Sequence, residues 1–186
     1  MKKIILIRHG MTSGNREQRY IGRTDQPLCE EGINALLGKS YPTADILFCS
    51  PMKRCLQTAD ILFPGVEPVI VPDLRECDFG DFEGKNHAEL DGGAYYQRWI
   101  DSGGTLPFPH GESPEGFKER CVGAFRQCIA SADRESLAFV VHGGTVMAIM
   151  EAFALPKKAY YAYMVKNGCG YAADFDGVCM KAFAPL

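Results

Sequence analysis

Two histidines and two arginines stand where buried strands are predicted to end. Arg8-His9-Gly10 closes one apolar run, and His142-Gly143-Gly144 closes another. Arg54 lies one helical turn beyond the end of a third apolar run. Ligands of open parallel α/β sheets bind beyond the carboxyl ends of the strands. The spacing therefore predicts that these residues meet at one edge of a sheet.

The chemistry that such a set could perform is the binding of an anion. A single histidine or arginine is more often structural or solvated than functional. Here Lys53 and Arg54 fall in the first turn of a predicted helix, where a positive charge costs about 0.3–1 kcal/mol unless an anion lies nearby. Glycines after both histidines would let a phosphate approach the backbone N–H groups. We therefore favour an anion site over four unrelated structural residues.

The elements that must position these residues follow from hydrophobic patterning. Apolar runs rich in β-branched residues cover 3–7, 45–49, 66–71 and 137–141, and stretches of helical spacing lie between them. Strands that alternate with helices indicate a parallel sheet covered on both faces. We predict an α/β fold, a three-layer α/β/α sandwich with a mostly parallel central sheet.

Local signals place the remaining elements. Ser50-Pro51 predicts a helix with serine as its cap and proline at its first position, and Ser113-Pro114 predicts another. Residues 146–155 predict a largely buried helix. The segments 169–175 and 178–183 flank an Asp-Gly pair, which predicts a β-hairpin.

Length and the absence of linkers or repeats predict one domain over residues 1–186. One long stretch, 101–113, is rich in glycine and proline. Loops of this length often close over binding sites, so we predict a candidate lid, with a passive connection as the alternative.

Composition argues against several classes of partner. The net charge of −3 gives no field that would attract nucleic acid or an anionic membrane. No uncharged apolar stretch reaches the roughly 18 residues of a membrane helix, and the apolar run at the start is too short for a signal peptide. The eight cysteines include no C-x-x-C pair, which favours reduced thiols. We expect a soluble, cytoplasmic protein.

Six motifs in the same order resemble the histidine phosphatase superfamily, which includes the cofactor-dependent phosphoglycerate mutases. Together they span residue 4 to about residue 150. One short motif arises by chance, whereas six in order are specific. They are Arg8-His9-Gly10, the segment from Arg19 to Asp25, Ser50-Pro51-Met52-Lys53-Arg54, Leu74-Arg75-Glu76, Gly111-Glu112-Ser113 and His142-Gly143-Gly144.

The resemblance implies a phosphoglycerate mutase-like fold and a role for each matching residue. His9 corresponds to the nucleophile and Glu76 to the proton donor of the family. The phosphoryl oxygens would be bound by Arg8, Arg54 and His142. The phosphate pocket would be lined by Thr12, Asn15, Gly22 and Gly143. Such chemistry needs no metal and no cofactor, and the expected partner is a small phosphorylated metabolite.

Within the family, the sequence is most similar to the α-ribazole phosphatases, which implies α-ribazole 5′-phosphate as substrate. A broad-specificity sugar or nucleotide phosphatase is the first alternative. A mutase is less favoured, because only Arg98 stands where a pair of basic residues would hold a second phosphate. Met11 follows Arg8-His9-Gly10 where relatives commonly have an acidic or polar residue, and we expect it near the mouth of the pocket. A non-catalytic phosphate-binding domain is the alternative from another class.

Other motifs are weaker. The segment Asp174-Phe175-Asp176-Gly177 resembles the nucleophile motif of the haloacid-dehalogenase phosphatases, but too little chain follows it. The segment from Gly32 to Ser40 has five residues between its glycines where a P-loop has four. The four histidines show no metal-ligand spacing, so we predict no metal site.

Overall fold

The computed structural model describes residues 1–186. A six-stranded sheet forms its centre, with the strands β1 (Lys2–Arg8), β2 (Ile46–Cys49), β3 (Val69–Ile70), β4 (Ser136–Val141), β5 (Gly170–Phe175) and β6 (Met180–Pro185). Their order across the sheet is β3-β2-β4-β1-β5-β6. The first four strands in this order are parallel to one another. Strand β5 pairs antiparallel with β1, and β6 pairs antiparallel with β5. The predicted mostly parallel sheet and the C-terminal hairpin are both confirmed.

The helices are α1 (Ser13–Arg16), α2 (Glu30–Leu36), α3 (Lys53–Leu62), α4 (His87–Leu90), α5 (Ala94–Asp101), α6 (Pro114–Ser131) and α7 (Gly143–Phe153). Short 3₁₀ turns cover Pro72–Leu74, Gly80–Phe82 and Tyr160–Tyr163. No helix is both long enough and apolar enough to cross a bilayer.

Successive side chains of β1 point to opposite faces of the sheet and join two different hydrophobic cores. Ile4 and Leu6 face one side of the sheet and pack with residues of α6 and α7. Ile5 and Ile7 face the other side and pack with α3. Each of these side chains is at most 2% exposed, and burial of one contributes about 1.5–3 kcal/mol. The sheet is thus covered on both faces, and the predicted three-layer sandwich is confirmed.

The start of α3 differs from its prediction. The helix begins at Lys53 with Met52 as the N-cap, so Ser50 and Pro51 lie outside it. The Ser50 hydroxyl is instead within 2.7 Å of His142 Nε2. Asp25, from a distant loop, accepts a hydrogen bond from the first helical N–H, that of Lys53 (2.7 Å). Asp25 therefore caps α3 from a distant part of the chain, in place of Ser50, which the sequence predicted as the cap.

Two other predictions differ only in their bounds. The predicted helix over 146–155 begins earlier, at Gly143, directly after His142. The predicted strand 66–71 is reduced to Val69 and Ile70, which lie on an exposed sheet edge. The predicted cap of α6 is present, because Ser113 Oγ accepts a hydrogen bond from Gly116 N (3.0 Å).

Candidate active site

His9 and His142 lie side by side because they follow neighbouring parallel strands. Arg8 and Val141, the last residues of β1 and β4, are register partners. The two imidazole centroids are 5.2 Å apart, with 69° between the ring planes. His9 is 4% exposed and His142 is fully buried. Sheet register therefore brings together two residues that are distant in sequence.

One ring nitrogen of His9 is fixed and the other is free. Nδ1 lies 2.6 Å from the carbonyl oxygen of Gly10. A carbonyl only accepts hydrogen bonds, so Nδ1 carries the proton and Nε2 keeps its lone pair. Burial, with Arg54 as a second cause, holds the pKa of His9 well below its usual value. His9 is thus a neutral imidazole with an available nucleophilic nitrogen.

The backbone around His9 is braced by a loop that the sequence motifs did not indicate. Asn167 Nδ2 donates to the carbonyl oxygens of His9 (3.1 Å) and Gly10 (3.3 Å) and to Asn15 Oδ1 (3.1 Å). The N–H of Gly168 donates to the carbonyls of Arg8 and His9. The only sequence signal for this loop is its Asn-Gly pair, which indicates a turn and no function.

His142 is held from both sides. Arg54 Nε donates to His142 Nδ1 at 3.3 Å, so the proton of the neutral ring is on Nε2, next to the Ser50 hydroxyl. Burial is the main cause that places the pKa of His142 well below its usual value, followed by the charge of Arg54. His142 is also the N-cap residue of α7. These contacts hold the His142 ring in one orientation, as a neutral imidazole at the N-terminus of α7.

Arg54 and Arg8 carry positive charge into this site without a salt bridge. Arg54 is fully buried, and its guanidinium donates to the carbonyls of Thr24 and Gly22 (2.8 Å each). Arg8 Nη1 donates to Val165 O (2.8 Å), and its buried Nε has no partner. Burying a charge without an ionic partner is costly. A bound anion would supply that partner.

Glu76 is an acidic residue whose charge interacts with those of Arg8 and Arg54. It is 8% exposed and accepts hydrogen bonds from the N–H groups of Cys77 and Gly144 (3.1 Å each). Burial raises the pKa of Glu76, and those two N–H groups and the arginines oppose the rise. A Cβ at position 144 would collide with the carboxylate, so glycine is required there. Glu76 is a carboxyl group tuned toward holding a proton.

The four predicted pocket-lining residues have different surroundings. Thr12 and Asn15 form a reciprocal capping box at the start of α1, each side chain accepting from the other's backbone N–H (3.2 Å each). The N–H of Gly22 donates to Glu83, and its carbonyl accepts from Arg54. Gly143 lines the cavity described below. Contact of all four with a ligand stays a prediction.

Glu83 organises the turn that holds Arg54. Its carboxylate accepts hydrogen bonds from the N–H groups of Gly22 (2.9 Å) and Arg23 (2.6 Å) and from Thr24 Oγ1 (3.0 Å). The carbonyls of Gly22 and Thr24 are the same ones that receive the guanidinium of Arg54. Glu83 therefore positions Arg54 through the backbone of this turn.

We expect Glu83→Ala to lower kcat about 10- to 100-fold, because a misplaced guanidinium loses much of its transition-state stabilisation. Glu83→Gln should retain most of the activity, since its amide oxygen still accepts from the two backbone N–H groups. Steady-state kinetics on one aryl phosphate measures both variants. Glu17→Ala, which removes an exposed ion pair with Arg19, is the control. Equal losses in the alanine and glutamine variants would contradict the positioning role.

A cavity of about 1010 Å³ opens beside these groups. Arg8, Glu76, Gly143 and Gly144 line its inner end. The other walls come from α5, the segment 103–108, the start of α6 and residues 159–164. Met11 is not among the lining residues of this cavity, and neither is His9, so the expected place of Met11 near the mouth of the phosphate pocket stays a prediction. Part of the predicted lid segment does line the cavity, and its closing motion stays a prediction.

Two of the cysteines adjoin the site, because Cys55 Sγ lies 3.6 Å from His142 Nε2 and Cys77 lines the cavity. All eight are free thiols, and Cys49, Cys55, Cys77, Cys121 and Cys128 are buried. Burial raises the pKa of Cys49 and of Cys121 to about 12. These two thiols stay protonated near neutral pH, and the reduced state of the cysteines stays a prediction.

The fold places two histidines and two arginines at the carboxyl edge of a parallel α/β sheet, where ligands of such sheets bind. The model of the histidine phosphatase superfamily (branch 1) matches residues 4–181. The chain belongs to that family, and the prediction of an enzyme of the histidine phosphatase class is confirmed.

Similar proteins agree with this assignment. The chain is 29% identical to the adenosylcobalamin/α-ribazole phosphatase of Salmonella typhimurium, over 99% of this chain and 94% of that protein. A phosphoglycerate mutase structure from Thermus thermophilus superposes with a TM-score of 0.75 at 29% identity and covers 99% of each chain. The α-ribazole phosphatase structure from Shigella flexneri, at 24% identity, shares the fold with a TM-score of 0.81 over 96% of this chain and 93% of that one. The predicted phosphoglycerate mutase-like fold is confirmed.

Proposed function

We propose that this protein hydrolyses a small phosphate monoester through a phosphohistidine at His9. The observation that carries the proposal is the pair of arginines without salt bridges, Arg8 and Arg54, around a histidine whose Nε2 is free. A dianionic phosphoryl group at this place supplies the missing counter-charge. It also lies within reach of a neutral nucleophile.

The first half of the reaction forms the phosphoenzyme. His9 Nε2 attacks phosphorus, and the bond between phosphorus and the ester oxygen breaks. The protonated form of Glu76, which burial favours by raising its pKa, gives its proton to the departing oxygen. Arg8 and Arg54 stabilise the charge on the phosphoryl oxygens, where fixed donors contribute most. His142 joins them when its Nε2–H exchanges the Ser50 hydroxyl for a phosphoryl oxygen. The leaving alcohol departs into the cavity.

The second half returns the enzyme to its initial state. Glu76, now a carboxylate, takes a proton from water as the water oxygen attacks phosphorus. The bond between phosphorus and Nε2 breaks, and inorganic phosphate is released. Nδ1 keeps its hydrogen bond to Gly10 throughout, which keeps the ring in the orientation for the next turnover.

The proposed substrate is α-ribazole 5′-phosphate. The name of the Salmonella relative and the high coverage of both chains support it. A broad-specificity sugar or nucleotide phosphatase is the first alternative. The cavity argues against a mutase, because its basic residues are Arg8 at the inner end and Lys118, which is paired with Glu151 at 2.7 Å. No unpaired cation lines the cavity for a second phosphate.

The test is hydrolysis of α-ribazole 5′-phosphate, phosphoglycerates, phosphoserine, fructose phosphates and an aryl phosphate, with a chelator present. We expect undiminished turnover with the chelator and the highest kcat/KM for α-ribazole 5′-phosphate. Even rates across the panel would favour the broad-specificity alternative. A requirement for magnesium would contradict the mechanism, and the absence of any turnover would favour a non-catalytic phosphate-binding domain.

A further inference from the structure

The large cavity borders the candidate site at Arg8 and Glu76, whereas His9, Arg54 and His142 are not among its lining residues. Arg8, Glu76 and Gly144 line its inner end. If a phosphoryl group lies between His9 and Arg8, as the proposed function requires, the proton donor Glu76 places the leaving oxygen on the side of this cavity. The residues that line the cavity therefore indicate which kind of leaving alcohol the protein would bind.

Seven aromatic residues line these walls. The aromatic lining residues are Tyr20, Phe79, Trp99, Phe108, Phe117, Tyr160 and Tyr161. At the mouth, Tyr161 is 53% exposed and Met164 is 59% exposed. Exposed apolar side chains around a concave site mark a binding surface more often than chance exposure. Aromatic faces of this kind stack against flat rings.

Trp99 adds an indole ring and a hydrogen-bond donor to the aromatic wall. Its side chain lines the cavity and is 8% exposed. Its buried indole Nε1 has no hydrogen-bond partner. A buried donor without a partner is destabilising. A ligand that carries an acceptor next to its ring would give this N–H a partner after a small adjustment of the wall.

The charged residues of the lining disfavour a second anion. Lys118 and Glu151 neutralise each other, and Lys118 also lies over the ring of Tyr160, 4.3 Å from its centroid. Glu115 and Glu119, both exposed on the first turns of α6, also line the cavity. Neither of them has a salt bridge. Like charges four residues apart on a helix repel each other, and together they give the mouth a negative field.

We propose that this cavity is a leaving-group subsite that selects phosphate monoesters whose alcohol carries a flat apolar ring and no negative charge. The aromatic wall provides the attraction, and Glu115 and Glu119 provide the exclusion. The inference rests on the proposed function, because that function places the leaving alcohol in the cavity. It separates nucleoside-like and aryl esters from phosphoglycerates and bisphosphates.

The charge filter is tested with two esters of equal size, 4-carbamoylphenyl phosphate and 4-carboxyphenyl phosphate. In the wild-type protein we expect kcat/KM to favour the neutral ester by about tenfold, the scale of two uncompensated charges near the surface. In Glu115→Gln/Glu119→Gln the ratio should fall toward one, because the same ring then meets no repulsion.

The matched control is Asp133→Asn/Glu135→Gln. It removes the same total charge from exposed positions that precede β4, at the opposite end of the strand from His142. We expect the wild-type ratio in this control. An identical ratio in all three proteins would overturn the charge filter.

The aromatic wall is tested with Tyr161→Ala, a substitution at a half-exposed position that should fold normally. We expect kcat/KM for phenyl phosphate to fall about five- to tenfold, on the scale of one aromatic contact, with little change for glycerol 1-phosphate. Equal changes for both esters would overturn the aromatic part of the proposal.

Failure of the proposed function would give a different result, namely no phosphate release from any ester. In that case the binding of the matching arylmethylphosphonates, measured by calorimetry, makes the same comparison without turnover. A lower Kd for the neutral phosphonate, lost in Glu115→Gln/Glu119→Gln, supports the subsite. Equal Kd values overturn it.

Discussion

His9→Ala should lower kcat by at least about 10⁴-fold, the scale seen when a nucleophile is removed from a catalytic set that acts as a unit. In His9, Nδ1 is bonded to Gly10 and Nε2 has no hydrogen-bond partner. The neighbouring imidazole is that of His142. His142 cannot replace it, because both its ring nitrogens are engaged by Ser50 and Arg54. Phosphate release from an aryl phosphate measures the loss.

A second variant separates chemistry from folding. His9 is buried, so alanine leaves a small cavity next to His142. His9→Asn can keep a donor near the Gly10 carbonyl, since its amide nitrogen takes the place of Nδ1 and it has no group at Nε2. We expect both variants to be inactive and the asparagine variant to unfold close to the wild-type Tm. Wild-type turnover in either variant would rule out a phosphohistidine at position 9.

The intermediate itself can be trapped. Wild-type protein quenched in denaturant after mixing with ³²P-labelled ester should carry label that is released by acid and stable in base, as expected for a phosphohistidine. Both His9 variants should carry none. Label that persists in acid would indicate a different nucleophile.

Glu76→Gln should lower kcat about 10²- to 10⁴-fold, the range of a general acid–base group. The amide cannot give a proton to the leaving oxygen or take one from water. A nitrophenyl ester needs little help in leaving, so its phosphoryl group should still transfer to His9. The expected signature is a burst of about one nitrophenolate per site followed by very slow turnover. Loss of the burst together with turnover would contradict the proposed role.

The pH dependence follows from the same two groups. The first half of the reaction needs neutral His9 and protonated Glu76. The pKa of His9 is lowered, so the acidic limb of kcat/KM should lie below the ordinary range of histidine. The pKa of Glu76 is raised, so activity should persist above the ordinary range of glutamate and fall as pH rises through that raised value. For an alkyl phosphate, whose oxygen needs a proton to leave, Glu76→Gln should remove this alkaline limb, whereas a purely structural loss would leave it in place.

The amino-acid sequence by itself determined the strands, their parallel arrangement and the family. Alternating apolar residues report burial directly, and the residues that end β1 and β4 had to share a sheet edge once those strands were neighbours. The motifs then identified His9, Arg8, Arg54, Glu76 and His142, and the structure brings these five together. Local chemistry sufficed here because each residue sits at a fixed offset from an element that the sequence predicts.

Only the tertiary structure decided how these residues are held. Ser50 contacts His142 rather than capping α3, and Asp25 caps that helix from a distant loop. Asn167 braces His9, and Glu83 holds the turn around Arg54, through bonds to backbone groups that no sequence pattern marks. The aromatic cavity likewise joins segments from separate parts of the chain. Such contacts join residues that are far apart in the sequence and become neighbours only after folding. The spacing of residues along the chain therefore does not predict them.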